Sequence, residues 1–421
     1  MSTSNKRDFG EVGPTTHHVL LDQPGRVAGQ CEPDIAVIRT DWHVRLPRLM
    51  QPFLTWLSGY PYAGQKPFFP TKPWWVVVLL TTALLGVGLC SSFVIVSQGG
   101  YTWFGLPIAW LLVVGTARTF QVFICHQGVH DNLSGDPAVD RALVEVISTV
   151  LVVQNFDGYQ EDHKELHHPQ LASDADVDRK FIIEVMRLEQ GVDAEVNRRL
   201  VVRALLSPRV HAVFLLARVR ANVVSCPAYR RAMTLAWWSI VALAVTATQT
   251  WLPFFIGCVF PMTVLYHMSA MCQFVTEHFW TRRRQPGQSA KQHYFSMLVN
   301  RHLGDPLPAC GLSGLEWLSA WTLWWARLYF YHAPFRLAIL VGDLPVHGSH
   351  HLWPLEKRWT EPFFTFQALA AERGTSPIHY VGGYRRILHR MLESFNEVED
   401  SAADATEPIT LSQAVKVANG M

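Results

Sequence analysis

A chain of 421 residues with 49% hydrophobic side chains, 16 Trp and 23 Phe has apolar surface enough for a large core or for a bilayer. Its net charge of +2, without a long basic run interleaved with aromatics, excludes a nucleic-acid partner. Seven scattered cysteines with no C-x-x-C pair exclude a disulfide framework and a thiolate zinc site, and point to a reducing compartment.

Residues 1–73 read as an N-terminal cytoplasmic segment, flexible over its first 35 residues or so and lacking the apolar h-region of a cleavable signal. From Trp74 to Val96 no charge interrupts the chain, about the length a helix needs to cross roughly 30 Å of hydrocarbon. A second span is predicted over 103–124, with Arg118 near its end expected to snorkel to the interface. The apolar segment 143–153 is too short to span and reads as interfacial or re-entrant. Two more spans, 235–249 and 252–275, are separated by a turn at Gln249, Thr250 and Pro253. The fold class is thus all-α integral membrane: four transmembrane helices in two hairpins, a helical cytoplasmic cap and interfacial helices over residues 74–392, then a flexible acidic tail, 393–421. Lys and Arg avoid both hairpin turns and crowd the N-terminal segment, the central region and Arg282–Arg284, which places both termini on the cytoplasmic side.

Histidines gather where these spans end. His126 and His130 leave the second span four residues apart, on one helical face. His163, His167 and His168 follow in EDHKELHH, His278 lies at the exit of the fourth span, and His347, His350 and His351 lie in HGSHH, within one helical face. Topology could bring these segments together as bundles assemble metal sites from facing helices. Nine imidazoles exceed the coordination of about four to six that one ion takes, so two metals are implied.

The order H-x3-H, H-x3-HH, H-x2-HH around two membrane hairpins resembles the integral-membrane fatty acid desaturase and hydroxylase superfamily. The resemblance implies metal ligation by His126, His130, His163, His167, His168, His278, His347, His350 and His351. It also implies two non-haem irons, O2 as co-substrate, a membrane lipid or acyl substrate, and an external electron donor such as ferredoxin or cytochrome b5 with its reductase. No HPGG haem motif is present, so no cytochrome b5 is fused to the chain. The activity expected is acyl-chain desaturation. Hydroxylation on the same di-iron core is the alternative, and a non-enzymatic haem or metal-ion binding protein is the third reading.

Asp131, Glu161, Asp162, Glu277 and Asp343 are candidates for orienting the imidazoles. His267, deep in a span, reads either as functional or as a helix-to-helix hydrogen bond, and His302 as structural. His17 and His18 are expected to be uninvolved. Ser313 and Glu316 open a capping-box pattern ahead of Trp317, Trp321, Trp324 and Trp325, an amphipathic helix suited to headgroup depth. The central region from Arg179 to Arg231 reads as amphipathic helices on or under the membrane.

Overall fold

A computed structural model describes residues 34–68, 72–372 and 378–397. All of these fall in one unit, Pro33–Met421. The readings for His17, His18 and the tail beyond 397 lie outside the described residues.

Among the described residues four helices have the length and hydropathy to cross a bilayer: α1 (Trp74–Gln98), α2 (Gly100–Val129), α3 (Ala228–Thr248) and α4 (Trp251–Val275). They cover the four apolar runs, except that α3 stops at Thr248 with Gln249 as its left-handed cap, and most extend past them, because a helix continues until its backbone is capped and not merely until apolarity ends. Thus α3 begins directly after Pro227, and α2 runs on to carry His126. Small residues set the crossings, as expected where backbones pack without a hydrophobic drive between helices. A Cβ on Gly88 would meet Val113, and one on Gly257 would meet Ser92, each within 3.1 Å. Two further helices, Ala194–Leu206 and Pro208–Val223, meet at a 62° bend and together form a fifth candidate span, broken or re-entrant. Their Val213, Phe214 and Ala217 are buried in the same core as Ala270 and Met271 of α4, so this central region packs more deeply than surface-lying helices would.

Arg118 does not snorkel. Its guanidinium is buried between α2 and α4, donating to Gln121 at 3.1 Å, to the Tyr266 hydroxyl and to Gln273. Acceptors for its two terminal nitrogens make burial cheaper than stretching toward an interface, with Nε alone left unpartnered. The segment 143–153 belongs to the helix Pro137–Leu151, N-capped by Asp136, whose Val144, Ile147 and Leu151 pack on the end of α2.

Beyond α4 the chain forms a two-stranded parallel sheet, β1 (Val299–His302) with β2 (His379–Gly382), in the register Val299↔His379 to His302↔Gly382. The helix Gly314–Arg327 follows Ser313, but no side-chain hydrogen bond forms at its N-cap, so the capping box is absent. Trp324 is instead what pins this helix, its indole N–H donating to Asp305 O at 3.1 Å and its ring lying edge-on to Trp42. The last helix among the described residues, Tyr384–Ser394, ends with Phe395 fully buried, its carbonyl accepting from Gly191 N–H. The chain is therefore still packed past position 393, where the sequence suggested that the tail begins.

Candidate metal centre

His126 and His130 stand at the end of α2, just after a π-helical turn, Phe120–Cys125. Such turns widen the helix by one residue and are frequent at functional sites. The His126 Nδ1–H donates to Val122 O at 3.2 Å, which leaves Nε2 bare and buried. The second box is itself a π-turn, Glu161–His167, closed by His168 N–H to His163 O at 3.0 Å. In a regular helix residues five apart point about 140° from one another. The i→i+5 turn puts them on one side, with the two Nε2 atoms 3.0 Å apart, and sends His167 the other way. The third box is a short helix, His347–Leu352, laid on β1 at Gly348, where a Cβ would come within 2.7 Å of Val299 O. Asn300 anchors it through Ser349, donating to its hydroxyl at 2.8 Å and accepting its N–H at 3.2 Å.

These elements bring all nine sequence-predicted imidazoles together, in two adjoining groups. His126, His130, His163, His168 and His350 form one, and His167, His278, His347 and His351 the other; within each, one ligand atom per residue lies within 4.8 Å of every other. The expectation that HGSHH acts from one face is corrected. His347 and His351, one turn apart, face the second group, while His350 faces the first, with its Nε2 3.2 Å from that of His130. The groups touch where the His168 and His351 rings stack at 4.2 Å.

Three nitrogen pairs, His163–His168, His130–His350 and His347–His351, face one another at 3.0 to 3.2 Å. Donors at right angles around a cation with bonds of about 2.1 Å stand about 3.0 Å apart, so this spacing is that of ligands on one metal. A shared proton could serve a pair, but it leaves the Nε2 of His126 and both ring nitrogens of His278 buried without a partner. Such orphans are rare in native structures. One cation per group gives a partner to each facing pair, to Nε2 of His126 and to one ring nitrogen of His278. Burial, followed by mutual repulsion, holds His163, His168, His278, His347, His350 and His351 well below the usual imidazole range. They are neutral, the form that binds metal.

His167 is the exception. Burial pulls it down, but Asp176, Asp178 and Glu277 outweigh that and raise it to about 9. Its Nδ1 lies 3.2 Å from Asp176 Oδ1 and 3.4 Å from Asp178 Oδ2. Asp176, fully buried, also accepts from Ala172 and Asp178 N–H groups, so the ring it orients cannot turn. Sequence reasoning missed both aspartates. The signal was the acidic run SDADVD just past the second box, after a loop whose closure the sequence does not show. Tyr294 was missed as well. Its hydroxyl donates to His168 O at 3.0 Å and so accepts from His351 Nδ1 at 3.1 Å, which assigns Nε2 of His351 as the ligand atom.

Of the five carboxylates expected to orient imidazoles, Glu277 meets one, 3.1 Å from His347 Nε2. Asp131 pairs with Lys164, Asp162 accepts from Gln154, Asp343 from Gln127, and Glu161 is exposed. His267 joins neither group; it bonds Arg218 at 3.1 Å, and that guanidinium also ties down the carbonyls of Leu151, Val152 and Met262. His302 packs its ring on Gly382.

The sequence profile of the family described as "Fatty acid desaturase" matches residues 101–382, more than half of the chain. No curated protein and no solved structure matches. The matched stretch holds all nine imidazoles and three of the four apolar helices. An integral membrane protein by these helices, the chain belongs to the fatty acid desaturase family.

Proposed function

We propose that the protein is an O2-dependent, non-haem di-iron desaturase that introduces a double bond into an acyl chain carried on lipid, CoA or a carrier protein. The observation that carries this reading is the pair of adjoining, nearly all-imidazole groups of five and four histidines at the ends of apolar helices. His126, His130, His163, His168 and His350 would hold one iron, and His167, His278, His347 and His351 the other. Bound there, iron supplies the redox chemistry by which two C–H bonds, O2, two electrons and two protons become one C=C bond and two waters.

The chain's own residues prepare the site for that chemistry. Val122 O, Asp176 and Tyr294 each take the Nδ1–H of a ring and so turn a bare Nε2 inward. Burial of eight of the nine imidazoles keeps bulk water from the metals, where it would compete with the substrate methylene. The four apolar helices are read as two hairpins carrying a cytoplasmic cap, with both termini and the histidines on that side. This follows from the arginine placement, and the electrons are supplied there by a separate ferredoxin or cytochrome b5.

The test is expression in a bacterium of known lipid composition, with mass spectrometry of its lipids and His350→Ala as the control. Loss of two hydrogens from an acyl chain, absent with His350→Ala, is expected. Gain of one oxygen instead would convert the reading to a hydroxylase, and equal product from His350→Ala would remove the assignment. An intense Soret band in the purified protein would favour haem binding.

A further inference from the structure

We propose that Glu277 is itself a ligand of the four-histidine site, so that each metal has five protein donors: five imidazoles on one side, four imidazoles and a carboxylate oxygen on the other. The proposal rests on the di-iron reading and adds to one iron a carboxylate donor that the histidine pattern does not contain.

His347 faces two acceptors at once. Its Nε2 lies 3.1 Å from Nε2 of His351 and also 3.1 Å from Oε1 of Glu277. Tyr294 occupies Nδ1 of His351, so the His351 atom turned toward His347 is a lone pair. The carboxylate oxygen offers only lone pairs too. One proton on His347 Nε2 can lie along one of these two directions and leaves the other contact repulsive. A cation shared by the three atoms resolves both, and 3.1 Å is the edge that ligands at right angles would make with bonds of about 2.1 Å.

Glu277 is held for this. It is fully buried, directly precedes His278 and follows the turn that ends α4. The Nε2 amide of Gln273 donates to its two oxygens at 3.0 and 3.1 Å. Arg118 in turn occupies the amide oxygen of Gln273, so this amide can present only its N–H groups to the carboxylate. The result is a buried Arg118–Gln273–Glu277 chain that fixes the carboxylate orientation from inside the membrane helices. An anion there also has an electrostatic purpose. Imidazole donors bring no charge of their own to a divalent metal in a buried site, and Asp176 acts only from behind His167, so a carboxylate bound directly compensates the metal's charge at the metal itself.

The test uses purified full-length protein loaded with 57Fe(II) and read by Mössbauer spectroscopy and iron analysis. The wild type should show two quadrupole doublets of equal area. Glu277→Gln should shift or lose one of them, with iron affinity at that site reduced by at least about tenfold, whereas Glu277→Asp should keep both irons with one doublet displaced. Two irons with both doublets unmoved in Glu277→Gln would overturn the proposal. Should Glu277→Gln fail to fold, a cryo-EM structure of the iron-loaded wild type decides: an Oε atom at about 2.2 Å from iron supports ligation, and one beyond about 3 Å overturns it. A wild type that binds no iron would instead overturn the di-iron reading itself, so the two failures are distinguishable.

Discussion

Which imidazoles stand in one group is decided by individual side chains that the motif spelling does not mention. Spacing of i, i+4 and i+5 in EDHKELHH is ambiguous until the backbone is known, because a regular helix would pair His163 with His167, whereas the π-turn pairs His163 with His168. The presence of nine metal-suited histidines was therefore legible, and their partition was not. The same holds for Asp176 and Asp178, eight or more residues past the box, whose contact with His167 depends on a loop closure with no local signature. Asp176→Asn keeps an acceptor for His167 but removes the buried charge and puts an amide against the Ala172 N–H. Iron affinity of the four-histidine site should fall by about 10- to 100-fold, read by competition with a chelator, while the five-histidine site is unaffected. Unaltered affinity at both sites would show that Asp176 orients nothing.

At the level of elements, the four apolar helices could be read directly, since nothing but a bilayer or a very large core accommodates such runs. What could not be read is where polar side chains inside them point. Arg118 looked like a snorkelling cation and is instead a buried hub, because its partners Gln273 and Tyr266 lie about 150 positions away on α4. The capping box at Ser313 illustrates the converse error: a local pattern without the local bond. The helix itself still leaves Leu315, Trp317, Leu318 and Leu323 exposed along its length, 83% in the case of Leu315, which suits the headgroup depth inferred from its tryptophans. The third-box helix depends on one close approach. Gly348→Ala would drive a methyl into the backbone of Val299, at 2.7 Å from its carbonyl, and lift the helix off β1. A destabilisation of about 1–3 kcal/mol is expected, seen as a lower Tm, together with reduced iron content because His347, His350 and His351 move as one body. A variant with wild-type Tm and iron would show that this contact is not needed to seat the box.

For the whole molecule, convergence is the claim on which the chemistry stands. Segments more than 200 positions apart, the end of α2 and the third box, place His130 and His350 within 3.2 Å. Family membership and the two imidazole groups point the same way, since the matched stretch is the one that carries all nine rings. The two groups make a claim that can be counted, one ion in each. The direct measurement is the iron-to-protein ratio of the purified chain beside that of His278→Ala, whose two ring nitrogens have no other partner. The account predicts a ratio of about two for the wild type and about one for the variant, one ion belonging to each group. A wild type without iron, or a variant that keeps both ions, would contradict it.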